Sequence, residues 1–234
     1  MVRILHEDEA LLAVDKPAGA LCVRGRMGEA EPSLMDELAS ARGEKLFIVH
    51  RLDRNTSGVL IFARTSEAHR VLGQAFEQGK VEKSYLALVR GAPQAEFTVE
   101  VPLVDARRGK TRPAAEGETG KPSLTVFRLV ERFGEKFALV EALPKTGRTH
   151  QIRVHLKYAG FPLAVDPQYT HVERIVRGDL GLAPADEVVL ARTPLHARRV
   201  RLTHPATGLP LEIESGLPDD LQSALGLMRG AAFG

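Results

Sequence analysis

The residues best suited to chemistry lie at positions 50–58, where the sequence reads His-Arg-Leu-Asp-Arg-Asn-Thr-Ser-Gly. One acid, Asp53, stands between Arg51 and Arg54, and turn-forming residues follow it. A carboxylate in this position can act as a nucleophile, but it can also cap the turn or pair with an arginine. The residue types alone leave these alternatives open.

Two apolar segments enclose this polar stretch and predict how it is held. Ile48-Val49 precedes it, and Val59 to Ala63 follows it. Both segments are rich in β-branched and aromatic residues, which is typical of buried strands. Asp53 is therefore expected on a short connection between two strands, a common setting for catalytic residues.

A second polar segment, residues 144–156, reads Pro-Lys-Thr-Gly-Arg-Thr-His-Gln-Ile-Arg-Val-His-Leu. Thr149 is a candidate helix N-cap, and the helix is predicted to end near Gly160. Arg148 then lies at the start of the helix, where free N–H groups suit a phosphate. Arg153 lies just over one turn inside, and its planar guanidinium could hold a carboxylate by two hydrogen bonds. Either arginine could serve Asp53, and the spacing alone does not choose between them.

The distribution of charge says more about a partner than the net charge does. The net charge is +2 and the pI about 8.8, too mild to indicate nucleic acid by itself. No acid occurs in residues 142–165 or 196–204, and the second stretch contains Arg198 and Arg199. A run of charge is usually a solvated surface, but two acid-free basic stretches beside the Asp53 segment favour a cleft that binds a polyanion.

Composition bounds the class of protein. The 234 residues are 44% hydrophobic and 26% charged, which are ordinary globular values. The single cysteine, Cys22, excludes an internal disulfide and fits a reducing compartment. Acids near the N-terminus disfavour a signal peptide, and no apolar run approaches a membrane span. We expect a cytoplasmic monomer with no membrane partner and no obligate protein partner.

Local signals along the rest of the chain predict both strands and helices. Apolar runs predict strands at residues 10–14, 83–89, 124–130 and 137–142, and a strand pair around the Pro/Gly turn at residues 204–208. Capping signals predict helices from Ser33 to Gly43, from Thr65 or Ser66 to Gly79, and from Pro218 to Met228.

A charged stretch rich in Gly and Pro, residues 105–122, is predicted to be a flexible loop. Its basic residues are Arg107, Arg108, Lys110 and Arg112. Gripping RNA and simple solvation are both open interpretations of this loop. The segment from residue 170 to residue 187 gives no clear prediction.

The pattern His-Arg-Leu-Asp-x-x-Thr-Ser-Gly resembles the signature of the RluA-type pseudouridine synthases. Further parts of the family's pattern are matched by Asp-Lys-Pro-Ala-Gly at residues 15–19, by Lys-Ser-Tyr-Leu-Ala at residues 83–87 and by residues 146–156. The resemblance covers about residues 4–215. It implies that Asp53 is the catalytic nucleophile, that the ring of Tyr85 packs against the target base, and that Arg153 is the active-site arginine.

The resemblance also implies the fold and the reaction. The fold is expected to be α+β, with a mixed, mostly antiparallel central sheet flanked by helices and a basic RNA-binding cleft. Residues 1–234 are expected to form one catalytic domain without an N-terminal RNA-binding domain of the S4 type. The implied reaction converts uridine in structured RNA, either tRNA, large-subunit rRNA or both, to pseudouridine, with no cofactor and no metal.

Six further residues are predicted to contact the RNA: Arg51, Arg148, His150, Leu195, Arg198 and Arg199. Arg51 is the candidate for filling the space that the target base vacates when it leaves its stack. His150 and His155 do not predict a metal site, because no carboxylate or cysteine completes a ligand set. They are better interpreted as contacting RNA or supporting their neighbours.

Two alternative functions are weighed against this one. A protein that grips structured RNA without chemistry would keep the basic stretches but would have no use for Asp53 and Tyr85 together. A hydrolase with Asp53 as its nucleophile would need a base to activate water, and no motif places a histidine or glutamate for that task.

Overall fold

The computed structural model describes residues 2–24, 31–106 and 109–231. The chain divides into two compact units, which we call unit 1 (Met1–Lys83 with Ala197–Gly216) and unit 2 (Ser84–His196 with Leu217–Gly234). Among the described residues, no helix is both long and apolar enough to cross a membrane. That residues 1–234 act as one catalytic domain stays a prediction.

The elements alternate along the chain. The strands are β1 (Arg3–Glu7), β2 (Leu11–Lys16), β3 (Phe47–Ile48), β4 (Ser57–Ala63), β5 (Glu82–Arg90), β6 (Glu96–Glu100), β7 (Leu103–Asp105), β8 (Thr111–Pro113), β9 (Leu124–Phe133), β10 (Phe137–Pro144), β11 (Ile175–Val176), β12 (Val188–Leu190), β13 (Leu195–Thr203) and β14 (Pro210–Glu214). The α-helices are α1 (Leu34–Arg42), α2 (Ser66–Glu77), α3 (Gln151–Tyr158) and α4 (Asp219–Gly230), and a short 3-10 helix spans Arg177–Leu180.

Unit 1 is built around β4, in which every residue is buried. The strands of this unit are ordered β1-β2-β4-β13-β14, with β3 also paired to β4. The pairs β1–β2, β2–β4, β3–β4 and β13–β14 are antiparallel. Val59 and Ile61 of β4 pack against Ala68 and Leu72 of α2. Burial on both faces explains why β4 reads as a continuous apolar run.

The first two helices begin where the sequence predicts. Ser33 caps α1 in a capping box with Asp36, and Gly43 ends it in the left-handed conformation with φ 64°. Thr65 caps α2 by accepting a hydrogen bond from the Ala68 N–H at 3.1 Å. Both predictions are confirmed.

Unit 2 contains the strand order β5-β10-β9-β6, with antiparallel pairing throughout. Side chains of β5 alternate between two apolar clusters, as the two-residue period of a strand requires. Leu86 and Leu88 belong to the cluster that contains Leu221, Leu225 and Met228 of α4. Ala87 and Val89 belong to the cluster that contains Ile152 and Leu156 of α3. The α+β class with a mostly antiparallel sheet and flanking helices is confirmed.

Two local predictions are wrong. Thr149 does not cap α3: the helix begins at Gln151, and His150 is its N-cap in the left-handed conformation, with φ 53° and no capping hydrogen bond from its side chain. Because the helix begins later than expected, Arg153 lies in its first turn. Residues 105–122 are not simply a loop, since β7 and β8 pair antiparallel from Leu103↔Pro113 to Asp105↔Thr111. Arg107 and Arg108 lie outside the described residues.

Gly58, at the start of β4, is held against the backbone of β13 and should not tolerate a side chain. Its φ is +109°, and an added Cβ would lie 2.2 Å from the Ala197 carbonyl oxygen. We expect Gly58→Ala to lower the free energy of unfolding by about 3 kcal/mol or more, from strain plus steric overlap. Gly73→Ala is the matched control, because nothing lies within 4 Å of its added Cβ. It should stabilise α2 by about 0.5–1 kcal/mol. Urea denaturation of both variants measures this, and equal stabilities would contradict the close packing.

Candidate active site

The predicted catalytic residues fall in both units, and each group is described within its own unit. In unit 1, Asp53 lies on the connection between β3 and β4, as predicted. We call residues 51–56 the Asp53 loop. A turn closes it, in which the Thr56 N–H donates to the Asp53 carbonyl at 3.0 Å. Leu52 is buried, Asp53 is half-buried, and Arg51 is exposed. The loop therefore presents polar side chains while its apolar residue anchors it.

The buried ammonium of Lys16 holds the far end of the Asp53 loop. Lys16 is 0% exposed, and its Nζ donates to the carbonyls of Pro17 (3.0 Å), Ala20 (2.8 Å) and Arg54 (2.8 Å). The Gly19 N–H also donates to the Arg54 carbonyl, at 2.9 Å. An ammonium has three N–H donors, and a buried charge is costly unless they are satisfied. The sequence assigns no role to Lys16, although Lys16 lies in the Asp-Lys-Pro-Ala-Gly pattern at residues 15–19.

The thiol of Cys22 holds the middle of the loop. Its Sγ donates to the Leu52 carbonyl at 3.3 Å and accepts the Leu52 N–H at 3.4 Å. Burial raises the pKa of this thiol, so it stays protonated and able to donate. Cys22 thus engages both backbone groups of the residue before Asp53. From the sequence, Cys22 indicates only that an internal disulfide is absent and that the compartment is reducing.

The imidazole of His50 holds the near end of the loop. It stacks on Phe76, with ring centroids 4.6 Å apart, and its Nε2 accepts the Ile61 N–H at 3.1 Å. The backbone pairing of β3 with β4 ends at Ile48↔Phe62, so His50 bonds the next β4 residue after the last pair. Burial, followed by the positive charge of Lys83, lowers the pKa of His50 to about 3. The ring is therefore a neutral acceptor.

The basic stretch at residues 196–204 is less basic in the fold than in the sequence. Arg198 is exposed on β13. Arg199 lies 3.5 Å from Glu214 and 3.9 Å from Glu212, and Arg201 pairs with Glu212. The antiparallel pairing of β14 with β13 places Glu214 opposite Arg199 and Glu212 opposite Arg201. The two carboxylates therefore partly neutralise the positive charge of Arg199, which weakens its predicted attraction for an RNA phosphate.

In unit 2, the guanidinium of Arg153 is buried against Asp166. Nε lies 2.9 Å from Oδ2 and Nη2 lies 2.8 Å from Oδ1, so the pair is bidentate. Nη2 also donates to Gln168 Oε1 at 2.9 Å. The sequence predicts Arg153 as the arginine that serves Asp53, which stays a prediction. It gives no signal for Asp166, which lies thirteen positions further along the chain.

The side chains around the start of α3 are joined by Tyr169. Its Oη lies 2.8 Å from His150 Nδ1 and accepts the Thr111 N–H of β8 at 2.9 Å. Its ring lies under the Arg153 guanidinium, with Cζ 4.8 Å from the ring centroid. Arg148 is exposed, and its Nε donates to the Pro122 carbonyl at 3.1 Å. His150 and Arg148 thus have protein contacts as well as their predicted contacts with RNA.

Tyr85 and Leu195 belong to one apolar cluster of unit 2. Tyr85 is half-buried on β5, opposite Ala142 of β10, and Leu195 is 4% exposed. The same cluster contains Ile152, the residue before Arg153. Unit 2 therefore groups Tyr85, Leu195 and the start of α3. Asp53, Arg51 and Arg198 belong to unit 1.

One cluster of possible metal ligands occurs among the described residues, in unit 1: His6, Asp8 and His204. The Nε2 atoms of His6 and His204 lie 2.6 Å and 2.9 Å from Asp8 Oδ2. His204 Nδ1 accepts N–H bonds from Ala206 (3.3 Å) and Thr207 (3.1 Å), so its proton is on Nε2. The two imidazoles are therefore joined through hydrogen bonds to the same carboxylate oxygen of Asp8.

Comparison with known proteins gives the family. A sequence model described as RNA pseudouridylate synthase matches residues 10–158. A ribosomal large subunit pseudouridine synthase C of Pasteurella multocida (strain Pm70) is 40% identical over 232 residues, covering 97% of this chain and 68% of that protein. A tRNA pseudouridine synthase C of Salmonella typhimurium is 38% identical over 239 residues, covering 96% of this chain and 89% of that protein.

A solved structure supports the same family. Human RNA pseudouridylate synthase domain containing 4 superposes with a TM-score of 0.75 at 27% identity, covering 97% of this chain and 93% of that one. The chain belongs to the RNA pseudouridylate synthase family. It is an RNA pseudouridine synthase, an isomerase that converts uridine to its C-glycoside.

The neutral state of His50 makes a prediction about stability and pH. Below about pH 6.5 the unfolded chain protonates His50, whereas the folded chain does not until about pH 3, so the free energy of unfolding falls as pH falls through this window. The contribution is up to about 1.4 kcal/mol per pH unit. His50→Gln keeps an acceptor for the Ile61 N–H but cannot titrate. Urea denaturation between about pH 7.5 and pH 5 should give a flatter dependence for His50→Gln than for the wild type; parallel curves would contradict the assignment.

Proposed function

We propose that this enzyme modifies uridines in tRNA, in large-subunit rRNA or in both, with Asp53 as the catalytic nucleophile. The relatives described above are named for these two kinds of RNA. The observation that carries the role of Asp53 is the anchoring of its loop. Lys16 bonds the loop at Arg54 and Cys22 bonds it at Leu52, while His50, the residue before the loop, bonds Ile61 of β4. Fixed backbone on both sides of Asp53 keeps its carboxylate in one position, and a reacting group that is already positioned loses less entropy on reaching the transition state.

The net reaction needs a nucleophile and positioned groups, and it needs no co-substrate. The bond between uracil N1 and ribose C1′ breaks, a bond between C5 and C1′ forms, and a proton moves from C5 to N1. Atoms and electrons balance within the nucleotide. An aspartate suits this because it can attack as an oxyanion and later leave. We therefore propose that the reaction uses no cofactor and no metal.

Tyr85, Arg153 and Arg51 complete the proposal. Tyr85 is half-buried in a rigid strand and would offer its ring to the target base. Arg153 would hold negative charge during the reaction through its guanidinium. The target base must leave its stack, and exposed Arg51, two residues before Asp53, would occupy the vacated space. These roles rest on the motifs that contain the residues.

Mapping pseudouridine in cellular RNA tests both the target and the nucleophile. A strain that lacks this gene should lose pseudouridine at specific positions in tRNA, rRNA or both. The wild-type gene and the control Asp220→Asn, which alters an exposed aspartate paired with Arg192, should restore them. Asp53→Asn keeps the shape but not the charge, and it should restore none. Its RNA affinity should stay within about tenfold, or roughly 1.4 kcal/mol. Restoration by Asp53→Asn would show that Asp53 is not the nucleophile.

A second experiment tests the predicted RNA contacts. Each phosphate contact releases counterions, so affinity falls as salt rises. Arg148→Gln and Arg198→Gln should each reduce the slope of log affinity against log salt by about one. Arg199→Gln should reduce it less, because Glu212 and Glu214 already lie near Arg199. The matched control is Arg229→Gln, an exposed arginine paired with Glu131. Binding by Asp53→Asn protein avoids turnover, and unchanged slopes for Arg148→Gln and Arg198→Gln would contradict those contacts.

A further inference from the structure

We propose that Asp166 and Tyr169 are positioning residues for Arg153, fixing the edge and the face of its guanidinium from within unit 2. This inference rests on the proposed function, because it matters only if Arg153 takes part in the reaction. The simpler interpretation is that the Arg153–Asp166 pair only fastens α3 to the turn at residues 166–170. The geometry points to the positioning role, and the positioning and fastening roles predict different effects of substitution.

The first observation is the way Arg153 is held. The side chains of Arg153 and Asp166 are 8% and 2% exposed. Of the five N–H donors of a guanidinium, those of Nε and Nη2 are directed to Asp166 and Gln168, at 2.8–2.9 Å. Because the group is planar, these three hydrogen bonds fix its plane and set the direction of Nη1, away from Asp166. A single ionic contact would not fix that direction.

The second observation is that the turn at residues 166–170 is built around the Asp166 carboxylate. Oδ1 accepts the N–H groups of Gln168 and Tyr169, both at 3.2 Å. The Asp166 N–H donates to the Val172 carbonyl at 3.0 Å. The carboxylate therefore cannot rotate without breaking backbone hydrogen bonds. The orientation of Arg153 follows from a rigid group and not from a mobile counter-ion.

The third observation is the ring of Tyr169. It lies against one face of the guanidinium, with 4.8 Å from Cζ to the centroid, a stacking that Arg favours. The hydroxyl and the backbone of Tyr169 are both bonded. Its Oη contacts His150 and Thr111, and the carbonyl of Tyr169 accepts a hydrogen bond from Lys157 Nζ at 2.6 Å. Asp166 sets the edge of Arg153, and Tyr169 closes one face.

Tyr169 offers the cleaner test, since removing the buried carboxylate of Asp166 leaves an uncompensated charge and could prevent folding. Tyr169→Phe keeps the stacked ring and loses the hydroxyl, and its single-turnover rate should stay within about threefold of wild type. Tyr169→Leu loses the ring, and its rate should fall about tenfold to a hundredfold, as expected for a displaced reacting group. Both variants lose the hydrogen bonds of Oη and should melt at a lower temperature than the wild type. The rates are therefore measured well below both melting temperatures, where RNA affinity should change little. The matched control is Asp220→Asn, which removes another bidentate partner of an arginine and should keep the wild-type rate.

A double-mutant cycle separates this inference from the proposed function. In the Arg153→Lys background the fork is gone, so Tyr169→Leu should cause little further loss of rate. A wild-type rate for Arg153→Lys alone would overturn the role of Arg153 in the proposed function. A slow Arg153→Lys with the same loss from Tyr169→Leu in both backgrounds would overturn only the positioning role. A Tyr169→Phe rate as low as that of Tyr169→Leu would overturn the role of the ring.

Discussion

The structure of unit 1 depends on one constraint: a buried positive charge must have all of its donors satisfied. Lys16 meets this constraint with three backbone carbonyls, two from the turn that follows it and one from the Asp53 loop. If either segment moved away, an ammonium would be left partly unbonded in the interior, which costs several kcal/mol. The position of the loop is therefore tied to β2, whose neighbour β4 is completely buried. The two strands that enclose the Asp53 loop are thus supplemented by an electrostatic requirement that fixes its position.

Much of this could be read from the sequence, because the signals are local. Ser33 and Thr65 cap their helices by contacts three residues away, and the apolar run of β4 needs no partner to be recognised. The failure at Thr149 has a tertiary cause. Gln151, not Thr149, bonds the Arg148 N–H at 3.0 Å, and its amide also donates to the Leu124 carbonyl at 3.0 Å. A helix start that is fixed by a distant strand leaves no capping signal in its own segment.

The other omissions have the same origin. The short strand β8 has only three residues, and its Thr111 N–H bonds to Tyr169, fifty-eight positions away. Arg199 appears in an acid-free stretch, but strand pairing places Glu214 opposite it. Lys16 and Asp166 were not recognised as supporting residues, since support of this kind is defined by contacts and not by residue type. The motifs predicted which residues carry the chemistry. The residues that orient them could be identified only from the contacts in the folded structure.

Two of the side chains that anchor the Asp53 loop, His50 and Cys22, carry no charge near neutral pH, which bears on how the rate should depend on pH. His50 is neutral at physiological pH, because burial lowers its pKa to about 3. Burial also raises the pKa of Cys22, so the thiol stays protonated. His50 and Cys22 therefore keep the same charge across the neutral range. The hydrogen bond that His50 accepts from Ile61 and the two that Cys22 makes with Leu52 do not change with pH. A change in protonation of His50 or Cys22 therefore does not rearrange the Asp53 loop near neutrality, and these two anchors contribute no pH dependence to the rate.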